Sequence, residues 1–323
     1  MKLADIYMHF ESDITVIEQE LEATVQAENE VLRDASVHLL RAGGKRIRPV
    51  FVLLAAKFGQ YDINVLKHIA VPLELIHMAS LVHDDVIDDA ELRRGKKTIK
   101  SQWDNRVAMY TGDYIFGKAV ECAAFFNNPK IHQTLSNTMV EMCIGEVEQI
   151  RDQYNWGQNL RVYLRRIKRK TALLIAVSCE LGALAANADP VVQKKLYQFG
   201  YNVGMSFQIT DDILDFVGTE DQLGKPAGGD LRQGNVTLPA LYVMHEQPKV
   251  KKQIMDLLAD EYPDEVDINP ILTSIKESEG IKFSLKISDM YLQKGYEALK
   301  TLPNTDAKIY FHEIAKYIGT RKF

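Results

Sequence analysis

The stretch from Pro72 to Asp88, PLELIHMASLVHDDVID, decides how the chain folds. Its apolar residues recur three and four apart instead of alternating, which is a helical period. Pro72 marks the expected start, because a proline in the first helical turn forfeits no hydrogen bond. At about 100° per residue, His77, Leu81, Asp84 and Asp88 fall in one stripe with Asp85 to its side. Carboxylates on adjacent turns repel one another unless a cation sits between them. Gly204 to Asp215, GMSFQITDDILD, repeats the design, with Gly204, Gln208, Asp211 and Asp215 sharing a stripe.

A single Asp-Asp-x-x-Asp at a helix end reads as solvated or capping acid. Two copies, each closing an apolar helix, favour a site. Oxygen ligands without His or Cys suit magnesium, which keeps waters and is bound by one or two carboxylates together with substrate phosphates. Two such stripes facing each other would form an acidic mouth that needs metal, more than one ion of it, and phosphate.

Outward from these segments the helical period continues, as at Ile14, Ile17, Leu21 and Val25, and hairpin signals such as Asn-Gly are missing. The expectation is an all-α fold of one domain over residues 1–323. Breaks are expected at Ala42 to Gly44, Phe58 to Asp62, Glu91 to Lys97, Asn127 to Pro129, Ala188 to Pro190 and Gly218 to Asn235, with a solvated acidic loop at Asp260 to Asp267.

A net charge of -5 argues against a general nucleic-acid binder. Cys122, Cys143 and Cys179 are too few and too irregularly spaced for a disulfide framework or a zinc site. MKLADIYMHFESD reads as neither a secretory signal nor a transit peptide. The longest apolar run, Thr171 to Ala186, contains Glu180 and falls short of the roughly 18 to 20 residues that span a bilayer. A soluble, cytoplasmic protein is expected.

Cations for a phosphate stand nearby in sequence. Arg93 and Arg94 follow the first cluster, and guanidinium forks match phosphate oxygens bidentately. GGKRIRP, residues 43–49, sets three cations behind two glycines. Arg161 to Lys170 holds six cations in ten residues, most of which read as a solvated helix face. Lys170-Thr171 differs, because it lies where the helix turns apolar and can project a cation and a hydroxyl inward. Lys225 is the phosphate candidate in the loop after the second cluster. No Walker motif and no nucleophile elbow is present, so a diphosphate held here reads as a leaving group.

Together, LIHMASLVHDDVIDDAELRRG, GGKRIRP, RKTA, FQITDDILD, GKPAGGDLRQGNVTLP and the ending YIGTRKF resemble the trans-type polyprenyl diphosphate synthases over nearly the whole chain. Within that family the resemblance is to the two-component bacterial enzymes of heptaprenyl length. It implies an isoprenoid-synthase-type helical bundle around a central cavity. The implied reaction is head-to-tail addition of isopentenyl diphosphate to an allylic diphosphate such as farnesyl diphosphate, supplying the menaquinone side chain.

Carried over residue by residue, Asp84, Asp88 and Asp211 would ligate magnesium with Asp85, Asp212 and Asp215 in support. Arg93, Lys170, Thr171, Gln208 and Lys225 would hold the allylic substrate, and Lys45, Arg48, His77 and Arg94 isopentenyl diphosphate. Departure of the diphosphate leaves an allylic cation that the isopentenyl double bond attacks, and the released diphosphate takes the proton. The dipoles of Lys170-Thr171 and Gln208 would steady the cation.

Ala79 and Ser80, small where short-chain relatives carry aromatic plugs, imply an open tunnel and a long product. Hexaprenyl, octaprenyl and solanesyl lengths are the alternatives. The resemblance also implies a small regulatory partner subunit forming a heterodimer, with a homodimer as the alternative, and delivery of the product to a membrane by a protein that is not integral to it. A terpene cyclase would lack the matched second cluster, and a non-enzymatic scaffold would carry decayed aspartates.

Overall fold

A computed structural model describes residues 3–219, 227–258 and 267–319. The chain runs α1 (Leu3–His9), α2 (Glu11–Thr24), α3 (Glu30–Arg41), α4 (Ile47–Ala56) and α5 (Ile63–Ile87). A short hairpin, β1 (Leu92–Arg93) and β2 (Lys96–Lys97), leads to α6 (Ile99–Gln102), α7 (Asn105–Ala123), α8 (Pro129–Asp152) and α9 (Leu160–Ile167). A π-helical turn over Lys168–Ala172 joins α9 to α10 (Leu173–Ala185), which is followed by α11 (Pro190–Val217). The remainder is α12 (Gly229–Arg232), α13 (Leu238–Glu246), α14 (Pro248–Leu257), α15 (Asn269–Glu277), α16 (Gly280–Lys300) and α17 (Asp306–Gly319). The fold is all-α, as the periodicity predicts.

Two compact units partition these elements. The first comprises Met1–Met139, Leu174–Gly200 and Ala298–Glu313. Its centre is α5, packed against α4 and α7. From Val50 to Ala56, α4 is buried on every side. Phe311 closes this core, with ring centroids 4.9 Å from Phe199 and 6.1 Å from Phe51.

The second unit comprises Val140–Leu173, Tyr201–Glu297 and Ile314–Phe323. Tyr163, Ile167, Met205, Ile209, Ile213 and Phe216 form the heart of its core, with Leu231, Leu238 and Ile275 around them. Gly204 lets α11 approach the π-turn closely, since a Cβ there would lie 2.6 Å from Ala172 Cα.

Three expectations need correction. The helix of the first cluster starts at Ile63, not Pro72; Asp62 caps it by accepting from Asn64 N at 2.9 Å, and Pro72 lies inside. An interior proline costs about 3 kcal/mol, offset here by complete burial of the flanking Val71 and Leu73. Length and composition would let this helix cross a membrane, yet 67% of its apolar window is buried, as in a core helix.

The break at Glu91 to Lys97 holds a two-stranded hairpin with Leu92 opposite Lys97 and Arg93 opposite Lys96. Its corner residues, Arg94 and Gly95, both have positive φ, 53° and 75°. That is the primed turn that suits strand twist, and Asn-Gly is its usual sequence signal. Arg94 takes the asparagine's place.

Nor are all the cations of Arg161 to Lys170 a solvated face. Arg166 is buried, donating to Gln158 Oε1 at 2.9 Å and to the Val236 carbonyl at 2.5 Å. Arg169 pairs with Glu141 at 2.9 Å and Glu148 at 2.5 Å. The three cysteines are free thiols, and Cys143 is exposed. The acidic loop of Asp260 to Asp267 lies almost entirely outside the described residues.

Candidate active site

In the first unit, the last turn of α5 carries Asp84 and Asp85, and Asp88 caps the helix through its N–H to the Asp84 carbonyl at 2.8 Å. Both Asp84 and Asp85 are buried. Their neighbours divide them. Arg93 reaches back from the hairpin to Asp85 Oδ1, with Nη2 at 2.6 Å and Nε at 2.8 Å. Burial still raises the Asp85 carboxyl above its usual range, against the pull of Arg93. Asp84 Oδ1 is buried with no hydrogen-bond partner among the described residues. A buried carboxylate oxygen left without a donor suits a cation as its partner.

The hairpin is fastened over this end of α5. Arg94 donates to the Gly43 carbonyl, Lys96 to the Arg41 carbonyl, and Lys100 to Asp89, while Thr98 Oγ1 donates to the Ala90 carbonyl at 2.8 Å. Arg94 is thereby drawn to the loop before α4. Arg46, at the N-terminus of α4, has a left-handed φ of 45° and is buried against Glu74 Oε1 and Glu18 Oε1, each at 3.2 Å. Arg48, in the first turn of the helix, is buried, with its Nε unpartnered among the described residues.

Guanidiniums outnumber acids here: Glu74 interacts with Arg46, Arg48 and Arg94, and Glu18 with Arg46. Burial pushes the Arg48 guanidinium down to about 10, with Glu74 acting against it and Arg94 adding to it. His77 lies next along α5; burial and the four guanidiniums of Arg48, Arg94, Arg93 and Arg46 hold its imidazole well below the usual range, hence neutral near pH 7. A surplus of guanidinium charge with an unfilled donor is an anion-binding arrangement. Lys45 stands exposed beside it, Ser80 Oγ donates to the His77 carbonyl at 2.8 Å, and Ala79 is fully buried.

In the second unit, α11 carries Gln208, Asp211, Asp212 and Asp215. Asp212 is buried and receives Tyr163 Oη at 2.7 Å and Gln208 Nε2 at 2.8 Å. Burial, with Asp230 nearby, pushes its carboxyl up to about 7, while the two hydrogen bonds pull the other way. Thr171 Oγ1 donates to Gln208 Oε1 at 2.5 Å, and Lys170 Nζ to Gln149 Oε1 at 3.0 Å. The π-turn matters here, because the extra residue in its wide turn re-aims side chains, and such turns recur at functional sites. Asp215 Oδ2 accepts from Asp230 N at 3.2 Å, anchoring the start of α12. Lys225 lies outside the described residues.

Each unit thus gathers most of the residues that the sequence nominates for it. Those nominations omit Glu74, Arg46 as its partner, Gln149 and Tyr163. Glu74 could have been noticed as a lone acid in an apolar helix; nothing marks the other three. Among the described residues, no three His, Cys, Asp or Glu side chains form a ready-made cage for an ion.

The model of the polyprenyl synthetase family matches residues 29–275. The chain belongs to the polyprenyl synthetase family, a class of prenyl-transferring enzymes. Over all of its 323 residues it is 59% identical to heptaprenyl diphosphate synthase component 2 of Bacillus subtilis, covering 92% of that protein. The structure of heptaprenyl diphosphate synthase from Staphylococcus aureus superimposes with a TM-score of 0.91 at 41% identity, over 97% of this chain and 98% of that one. A polyprenyl synthase from Caulobacter crescentus, solved with calcium and isoprenyl diphosphate, gives 0.90 at 29% identity, over 98% and 97%.

Proposed function

We propose that this chain is the catalytic component of a two-component heptaprenyl diphosphate synthase, extending an allylic diphosphate such as farnesyl diphosphate by head-to-tail addition of isopentenyl diphosphate. Full-length similarity to heptaprenyl diphosphate synthase component 2 supports the product length and the partner. The observation that carries the chemistry is the buried, unpartnered Oδ1 of Asp84 beside an Asp85 already engaged by Arg93. The whole chain, 1–323, acts as one functional domain in this reading, in the cytoplasm, and passes its product to a membrane for the menaquinone side chain.

Asp84, Asp88 and Asp211 would hold magnesium, with Asp85, Asp212 and Asp215 in support, and the ion would contribute positive charge where the diphosphate departs. Lys170, Thr171, Gln208, Arg93 and Lys225 hold the allylic diphosphate. Arg48, Arg94, Lys45 and the neutral His77 hold isopentenyl diphosphate. The allylic C–O bond breaks, its electron pair leaves with the diphosphate, and the isopentenyl double bond forms the new C–C bond. A proton then leaves the former isopentenyl carbon for the released diphosphate.

Assaying the purified chain with farnesyl and isopentenyl diphosphates, alone and with a small partner subunit, tests this reading. Heptaprenyl diphosphate formed only, or far faster, with the partner is expected. A hydrocarbon formed from geranylgeranyl diphosphate without isopentenyl diphosphate would make the chain a cyclase.

A further inference from the structure

Within the second unit, two hydrogen bonds to α11 stand on either side of Lys170, one from Tyr163 in the helix before the π-turn and one from Thr171 within the turn. Upstream, the Tyr163 hydroxyl donates to Asp212 Oδ2 at 2.7 Å. Downstream, Thr171 Oγ1 donates to Gln208 Oε1 at 2.5 Å. Both acceptors belong to α11, and they are joined to each other by Gln208 Nε2 donating to Asp212 Oδ1 at 2.8 Å. Tyr163, Asp212, Gln208 and Thr171 therefore form one continuous chain, in which both oxygens of Asp212 are engaged by neutral donors of the protein.

A π-turn is an uncommon geometry that persists where its surroundings hold it. Here the surroundings are identifiable. Gly204 permits close approach of α11 to Ala172, the last residue of the turn, the Thr171 bond ties the turn itself to α11, and the Tyr163 bond ties down the helix before it. Tyr163 has no exposed surface, and its hydroxyl donates to Asp212.

We propose that Tyr163 is a positioning residue of prenyl transfer: through Asp212 and Gln208 it fixes the Thr171 hydroxyl and the turn presenting Lys170, and so governs binding of the allylic diphosphate without touching it. This rests on the assignment of Lys170, Thr171 and Gln208 to that substrate. The competing role is that of a core aromatic whose hydroxyl merely needs a partner. Geometry at a substrate-positioning group is felt as binding and rate, whereas a core role is felt as stability alone.

Tyr163→Phe keeps the ring and removes the hydroxyl. In the full chain, with its small partner where turnover requires it, the variant is expected to raise KM for farnesyl diphosphate about tenfold while KM for isopentenyl diphosphate stays within about twofold. Combined with Thr171→Val, its effect is expected to be smaller than the product of the two single effects, because both act on one connected unit. Unchanged KM values, an equal rise in both, or strictly multiplicative effects would overturn the proposal. Lys170→Ala separates the two levels. If it raises the allylic KM and Tyr163→Phe does not, only the role of Tyr163 falls; if Lys170→Ala itself leaves that KM unchanged, the substrate assignment falls and takes the proposal with it. Calorimetric binding of inorganic diphosphate in magnesium buffer, weakened by Tyr163→Phe, supplies a readout independent of turnover.

Discussion

Arg93 grips Asp85, its Nη2 2.6 Å from Oδ1, and so divides two neighbouring carboxylates between different tasks. Asp85 is fastened to the hairpin, and Asp84 keeps a buried oxygen that no group among the described residues satisfies. In the proposed site, Asp84 meets the metal and Asp85 sets the position of the guanidinium pair.

Asp84→Ala should therefore lower kcat by about a thousandfold or more while circular dichroism and melting temperature stay close to wild type. Arg93→Ala should act more mildly, raising the allylic KM by about tenfold or somewhat more. Near-normal turnover by Asp84→Ala would remove the first cluster from the reaction.

The Arg46–Glu74 pair calls for a stability measurement. Their side chains are 8% and 3% exposed, so deleting one leaves the other buried without the group that it pairs with at 3.2 Å. Arg46→Ala should cost about 3–5 kcal/mol, read as a fall in the urea midpoint, whereas Lys45→Ala on the exposed neighbour should leave the midpoint almost unchanged. Equal, small effects would mean that the pair is not the anchor of this loop.

His77 makes stability depend on pH with a definite sign. Burial and four guanidiniums hold its folded pKa well below the ordinary 6.5, so the folded state binds fewer protons than the unfolded chain as the pH drops. Its contribution is fully present above about 6.5 and is lost progressively below it. Melting temperatures between pH 7.5 and 5 should fall less steeply for His77→Gln than for wild type. Parallel curves would contradict this.

Product length is proposed to be set by the small residues beneath Asp84. Ala79→Phe and Ser80→Phe should each shorten the product by one or more isoprene units, as judged by chromatography of the dephosphorylated alcohols. Ala79 is fully buried, so its substitution must also displace neighbours and should lower the melting temperature by several degrees. An unchanged ladder from both variants would place the length determinant elsewhere.

How far the sequence reveals this molecule depends on the range of the interaction. Periodicity in α5 and α11 is a local signal, and it gives the helices and the faces that bear the aspartates. The start of α5 is missed because a proline is both a good first-turn residue and, under full burial, a tolerable interior one. Arg94 and Gly95 form a primed turn without its usual asparagine, so the hairpin leaves no recognisable trace. Contacts across long sequence separations leave none either: Tyr163 lies 49 residues from Asp212, and Arg46 lies 28 from Glu74. The candidate clusters are legible because like charges on one helical face need an external reason. Their supports are ordinary residues, given meaning only by the fold.

The measurement that bears most directly on the account is the product formed from farnesyl and isopentenyl diphosphates in magnesium by the chain with its small partner, for wild type and Asp84→Ala side by side. Heptaprenyl diphosphate is expected from the wild type and no elongation by the folded variant. Elongation by Asp84→Ala at a rate close to wild type, or a wild-type product that contains no added isopentenyl unit, would contradict it.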